Sequence, residues 1–326
     1  MQIEVATASF RVTRGYSFAA LILDEVAFWR SDETSANPDT EILQAMRPGM
    51  ASIPGAMLLL TSSPYRKRGA LFQAFTRGWA KDNSRALVWR ATTLEANPSI
   101  DPRIIEDARI EDAESASAEY DAEWRSDLSD LLARATVEAA TPPGRTELPP
   151  IPGVRYVAFV DPSGGSADSM TLAVAHKQGD VAVLDAVREC RPPFSPSAVT
   201  AEFAATLRSY GITKVTGDRY AGEWPREAMR AHGIAYELSE STASEIYAAF
   251  LPAINSGRVE LLDVPRLTAQ LVGLERRTAR SGRDSISHAP GAHDDIANSA
   301  CGALLLAGVT NTARRSRAVY IPFMSR

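Results

Sequence analysis

Three apolar runs, Arg155–Val160, Thr171–His176 and Val181–Val187, follow one another so closely that few folds can join them. The turns between them, SGGSAD and KQGD, are too short for a crossover helix, so the three strands must pair antiparallel. A helix pattern over Ser197–Tyr210 comes next, then a strand at Lys214–Gly217, a helix near Trp224–His232 and a strand at Ala235–Leu238. Helices are expected at Ser244–Ser256 and Leu267–Thr278, and a last one from about Asp294 to Leu306.

Three antiparallel strands followed by helix, strand, helix and strand make a mixed five-stranded sheet flanked by helices, the ribonuclease H-like order. Upstream, Phe18–Leu23 and Ala56–Leu60 read as buried strands separated by a helix at Asp39–Met46 and followed by one at Gly69–Ala80. Short, wholly apolar strands alternating with helices imply a parallel sheet covered on both faces. The whole is therefore α/β. Five prolines in Thr141–Gly153 exclude a helix or central strand there and read as a stiff linker. Just before it, Glu106–Asp130 carries ten acids, with Ile105, Tyr120, Trp124, Leu128, Leu131 and Leu132 near helical spacing, which suggests a helical hairpin. The expected division is 1–135, ending in that helical segment, a linker 136–153, a second domain 154–310 and a basic tail 311–326.

A net charge of −5 argues against a protein that coats nucleic acid by bulk electrostatics, while leaving room for a local basic groove. Six arginines around Arg258–Arg283 against Glu260, Asp263 and Glu275 fit either a DNA path or a solvated helix face. Cys190 and Cys301 are too few for a disulfide framework or a cysteine zinc site. No apolar run approaches the roughly 18 residues of a membrane span, and no secretory signal opens the chain. A reducing, cytoplasmic setting is expected.

The chemistry gathers on carboxylates. Strand YVAFV ends in Asp161, released by PSGG, and strand KVTG ends in Asp218. In the sheet order above these strands are neighbours, so their terminal acids are neighbours too. HDD, His293–Asp295, opens the apolar helix IANSACGALLLAG, which must pack on the sheet. Two unit charges about 4 Å apart repel by roughly 4 kcal/mol at an effective dielectric of about 20. Hard divalent cations relieve such a cluster, and two of them about 3.5–4 Å apart activate water against a phosphodiester. Each acid also has a duller use. Asp161 and Asp218 suit Asx-turns, Asp294 or Asp295 suits an N-cap, and Asp168 suits a turn as well as the rim of a site.

A second constellation lies upstream. ALILDEVAFW sets Asp24 and Glu25 directly after an apolar strand, the Walker B arrangement of a magnesium-holding acid and a water-polarising acid. The next strand ends in Thr61, Ser62, Ser63 and Pro64, polar groups beside those acids that suit either γ-phosphate sensing or a plain strand cap. No G-x-x-x-x-G-K-[ST] occurs, and none of the four lysines follows a glycine. Without that cradle the chain is not expected to hydrolyse ATP by itself.

RGYSFAALILDEVAFW, LLLTSSP, YVAFVDPSGGSADSMTLAVAH, VTGDRYAGEWP and GAHDDIANSA, in that order, resemble the large terminase subunit of tailed bacteriophages over nearly the whole chain. The resemblance implies a partial P-loop ATPase-like domain followed by an RNase H-like nuclease that cuts concatemeric double-stranded DNA during packaging. By position it makes Asp24 and Glu25 the Walker B acids and Thr61, Ser62 and Ser63 the coupling motif. Asp161, Asp218 and Asp295 match the nuclease acids, with Asp294 a close competitor of Asp295, and two Mg²⁺ or Mn²⁺ ions match the cofactor. ATP enters only if the missing P-loop is supplied, by a separately encoded fragment for example. A small terminase subunit and a portal ring are the implied protein partners, with no membrane partner, in the cytoplasm of a bacterial host. The departure is the absent front of the ATPase domain, which fits a prophage remnant or split gene. Alternative readings are a junction resolvase or transposase on the same fold, or a non-catalytic remnant that binds a packaging partner.

Overall fold

The computed structural model describes residues 3–5, 16–29, 38–166, 168–218, 224–278 and 284–309. The expected basic tail, together with Arg280 and Arg283, lies outside them. The chain is mixed α/β with several sheets, divided into two compact units. One comprises Met1–Arg134 and Val264–Asp294, the other Ala135–Asp263 and Asp295–Arg326.

The first unit opens with β1 (Ala20–Leu23), α1 (Pro38–Ala51), β2 (Met57–Leu60) and α2 (Gly69–Gly78). β1 and β2 pair in parallel, Ala20 opposite Met57 through Leu23 opposite Leu60. Alternation sends Leu21 and Leu23 into a core with Ile42, Leu43 and Met46 of α1 and Ala70 of α2. The other face differs from the expectation of a sheet covered on both sides: Ile22, Met57 and Leu59 are exposed. Among the described residues only these two strands form the sheet, and both helices lie against its other face.

The acidic stretch forms α3 (Thr93–Ala96), α4 (Pro102–Glu111) and α5 (Ala113–Asp121). Asp101 and Asp112 cap α4 and α5, accepting the amides of Arg103 and Ser115. The hairpin stops there. Ala122 ends α5 in the left-handed region, and Leu128, read as a helical position, begins β3 (Leu128–Asp130). α6 (Arg134–Ala139) leads into the proline-rich segment, which carries neither helix nor strand. That segment is tied down along the second unit. Gly144 N–H donates to Asp263 Oδ2 at 2.7 Å, Arg145 Nη1 to Glu260 Oε2 at 2.6 Å, and Leu148 N–H to the Asp185 carbonyl at 2.8 Å.

The second unit is built on β4 (Tyr156–Asp161), β5 (Met170–Gln178), β6 (Val181–Cys190), α7 (Pro196–Ser209), β7 (Lys214–Gly217), α8 (Trp224–Ala231), β8 (Ala235–Leu238), α9 (Ala243–Asn255) and β9 (Val259–Glu260). The sheet runs β8-β7-β4-β5-β6-β9. β4, β5 and β6 are antiparallel neighbours, while β7 lies parallel to β4 and β8 parallel to β7. The five expected strands are joined by a sixth, β9, whose two residues pair parallel with β6 at the edge. One face carries Ala158, Val160, Leu172 and Val174 under Phe203 and Leu207 of α7 and Met229 of α8.

Val264 returns the chain to the first unit through α10 (Pro265–Gly273), β10 (Leu274–Thr278) and β11 (Asp284–His288). The expected helix Leu267–Thr278 therefore breaks at Gly273. LERRT carries helix-forming side chains, but its backbone is claimed on both edges, by β3 and β11, in an antiparallel sheet. The last element, α11 (Asp295–Leu304), is buried along its full length on the second face of the six-stranded sheet.

α11 seats closely because position 302 is glycine. A Cβ there would meet the Phe159 ring at 2.5 Å, and Phe159 is itself buried at 2% exposure. Gly302→Ala is expected to lower unfolding stability by about 1–3 kcal/mol, the cost of overpacking a filled core. Urea titration of the purified variant measures it.

Candidate functional site

Sheet order brings together residues far apart in sequence. β4 ends at Asp161 and its parallel neighbour β7 at Gly217, opposite Val160. The next amide, Asp218 N–H, donates to the Val160 carbonyl at 3.3 Å, so Asp218 continues the ladder beside Asp161. On its other side Asp161 pairs with Thr171 of β5. Alternation turns both Asp161 and Thr171 to the face that α11 covers.

α11 enters at this spot. Thr171 Oγ1 donates to the Asp295 carbonyl at 2.7 Å, anchoring the first turn of the helix. One turn later Asn298 Nδ2 donates to Asp161 Oδ2 at 2.9 Å. Asp295 and Asn298 are both buried, at 8% and 3% exposure, whereas Asp161 is half-buried. Asp161, Asp218 and Asp295 thus share one end of the sheet, from three elements. A carboxylate oxygen of Asp168 lies within 4.8 Å of one of Asp295. Asp168 also serves the turn, its carbonyl accepting from Ser163 Oγ at 2.6 Å.

Asp294 closes the first unit's segment, with Oδ1 3.8 Å from His288 Nε2. Asp295 opens the second unit's segment and the first turn of α11.

Three contributors escape a search for acids alone: Asn298, Thr171 and Tyr236. Asn298 stands three residues after Asp295, the spacing of one helix face, and that spacing is the signal that finds it. Tyr236 Oη donates to the Asp218 carbonyl at 3.1 Å. Burial, then the charges of Asp161 and Asp218, push its phenol well above the usual tyrosine range, so it stays a neutral donor.

The donor set is all oxygen. Asn298 Oδ1 is buried and has no hydrogen-bond partner among the described residues, an acceptor on the amide that bonds the Asp161 carboxylate. Carboxylates with an amide oxygen suit a hard divalent cation such as Mg²⁺ or Mn²⁺. The residues fit such an ion.

The upstream constellation is also assembled, within the first unit. Thr61 Oγ1 donates to Asp24 Oδ1 at 2.7 Å and Ser62 Oγ to Glu25 Oε2 at 3.1 Å, with Ser63 half-buried next in line. The parallel register sets the end of β2 beside the end of β1 and so makes these contacts. Glu25 sits at φ 51°, a left-handed conformation uncommon outside glycine, and its amide bonds the Asp24 carboxylate at 3.1 Å. Both acids are exposed.

No protein-family model and no curated protein sequence matches this chain. Solved structures do match. The large terminase nuclease from thermophilic phage G20c is 18% identical, covering 52% of this chain and 95% of that one, with a TM-score of 0.46. The same nuclease with bound magnesium is 17% identical over the same shares, with a TM-score of 0.46. The HK97 bacteriophage large terminase is 15% identical, covering 90% of this chain and 71% of that one, with a TM-score of 0.44. No helix among the described residues is long and apolar enough to cross a membrane.

Asp218 owes its position to a close approach at Gly217, where a Cβ would fall inside the Tyr236 phenol. Gly217→Ala is expected to cost about 1–3 kcal/mol. Tyr236→Phe, which loses one hydrogen bond, should cost about 0.5–1.5 kcal/mol. The double variant should not recover, because Tyr236 ring carbons also stand within 2.8 Å of that Cβ. Denaturant midpoints of the three proteins decide the matter.

Proposed function

We propose that this chain is a metal-dependent DNA endonuclease of the large terminase kind, cutting double-stranded viral DNA as it is packaged. The observation that supports the reading is that Asp161 and Asp218 end neighbouring parallel strands of the second unit's sheet, where α11 brings Asp295 onto Thr171 and Asn298 onto Asp161. The strand order supports an RNase H-like nuclease domain, and the motif order from ALILDEVAFW to GAHDDIANSA supports the family.

Asp161, Asp218 and Asp295 would hold two Mg²⁺ or Mn²⁺ ions, with the Asn298 amide oxygen as a further ligand. Bound there, the ions supply Lewis-acid activation of water and neutralise charge on the scissile phosphate. The protein's own groups set the stage. Asn298 donates to Asp161 Oδ2 and so fixes which carboxylate lone pairs face the ligand. Thr171 holds the first turn of α11 against β5 and keeps Asp295 in place. Tyr236, neutral, fixes the Asp218 backbone.

In the first unit, Asp24 and Glu25 would act as Walker B acids, with Thr61, Ser62 and Ser63 as the coupling motif. ATP hydrolysis is then expected only where a P-loop is supplied, since this sequence contains none. A small terminase subunit and a portal ring would be the protein partners, in the cytoplasm of the bacterial host of a phage or prophage.

Supercoiled plasmid incubated with the protein and MgCl₂ or MnCl₂ should be cut, and chelation should stop the reaction. Asp161→Asn and Asp218→Asn should leave no cutting above background while retaining the wild-type circular dichroism spectrum. Persistent cutting by a folded Asp161→Asn variant overturns the assignment. Asn298→Ala should need about 10–100-fold more metal for half-maximal rate, the usual loss when a group that orients a ligand is removed. Titrating Mn²⁺ against cleavage rate measures the shift.

A further inference from the structure

Between β2 and α2 the chain runs Arg66-Lys67-Arg68, and these three cations line a cavity of about 110 Å³ with Ser129, Asp130 and Glu275. All belong to the first unit. Two of the lining carboxylates pair with the arginines, and the charge of Asp39 also reaches Arg68. Arg66 Nη1 donates to Glu275 Oε1 at 2.6 Å, and Tyr65 Oη takes the other oxygen, Oε2, at 3.0 Å. Arg68 Nη1 donates to Asp130 Oδ1 at 2.5 Å, with the Val272 carbonyl at 3.4 Å. Glu275 and Asp130 stand opposite each other on β10 and β3, so one pair of strands presents both.

That arrangement uses one end of Arg68 and leaves the rest. Its side chain is only 16% exposed, and its Nε and Nη2 are buried with no hydrogen-bond partner among the described residues. These two nitrogens form the side-on edge of the guanidinium, whose parallel N–H bonds match two oxygens of one phosphate. A charged donor left buried without an acceptor is costly, so the fold holds this edge ready for an anion. Burial, then the charge of Arg66, draws the Arg68 pKa down against the pull of Asp130, Glu275 and Asp39. Lys67 is exposed at the rim. The amides at the start of α2 are not the source of the site, since Ala70 N–H already donates to Asp39 Oδ2 at 2.5 Å.

We propose that Arg68, with Arg66 and Lys67, forms a phosphate-binding cradle in the first unit that grips a backbone phosphodiester of duplex DNA. The choice of DNA as the source of the phosphate rests on the nuclease reading of the second unit; the cradle itself does not. Phosphate contacts of this kind position a duplex without reading its sequence.

The full-length chain is titrated with a short fluorescent duplex by anisotropy, in EDTA so that nothing is cut, over a series of NaCl concentrations. Lys67→Gln and Arg68→Gln should each flatten the plot of log affinity against log salt by about 0.9, the share of one phosphate contact. Arg68→Lys keeps the charge and loses the fork, so it should keep the slope and bind more weakly. Thermal melts of all three variants establish that they are folded, and exposed Lys67 carries the test if an Arg68 variant is not. Unchanged slopes in the folded variants overturn the cradle, even while metal-dependent cutting persists. Saturable binding of ATP that Arg68→Lys abolishes, with duplex slopes unaltered, overturns the assignment to DNA. Flattened slopes alongside an Asp161→Asn variant that still cuts uphold the cradle and remove the nuclease reading instead.

Discussion

Helix α11 lies close on the second unit's sheet because residue 302 offers Phe159 no side chain. Much of the candidate metal site follows from that seat. All ten residues of α11 are buried, so its place is set by packing along the whole length. The packing brings the Asp295 carbonyl onto Thr171 and the Asn298 amide onto Asp161. Lifting the helix by a fraction of an ångström would loosen both bonds together.

Gathering acids at one end of a sheet works against the fold, since like charges in a poorly solvated place repel. The second unit moderates this with neutral donors. Asn298 reaches the Asp161 carboxylate, while Tyr236 and Thr171 hold the backbones of Asp218 and Asp295. The cradle in the first unit is the mirror case. There, three cations line one cavity, and an arginine edge is held without a partner among the described residues. In both places a buried polar group without a partner among the described residues, Asn298 Oδ1 or the Arg68 edge, points to the kind of ligand that completes it.

The two acidic constellations are built by one device used in two sheets. In each, a strand ends in aspartate, and a parallel neighbour ends level with it. β1 and β2 set Asp24 beside Thr61, and β4 and β7 set Asp161 beside Asp218. The carboxyl ends of adjacent parallel strands are where such sheets present their ligand groups. The glutamate after Asp24 is turned back at φ 51° to face Ser62, whereas Asp218 extends its ladder by one more hydrogen bond.

The local sequence determined a great deal here. Lys214–Gly217 and Ala235–Leu238 are strands over just the residues that their apolar pattern and flanking turns mark, and the short turns after Asp161 and His176 left only antiparallel pairing. The meander of β4, β5 and β6 follows from such short-range facts. Tertiary structure decided what depends on distant partners. LERRT became a strand because β3, far earlier in the chain, and β11 complete its hydrogen bonds, a gain that helix propensity of a few tenths of a kcal/mol per residue cannot match. Asn298 reached Asp161, and the Asp295 carbonyl reached Thr171, because helix phase on a crowded sheet selects one face of α11. The sequence spacing marks that face, and only packing against Phe159 and Thr171 seats it.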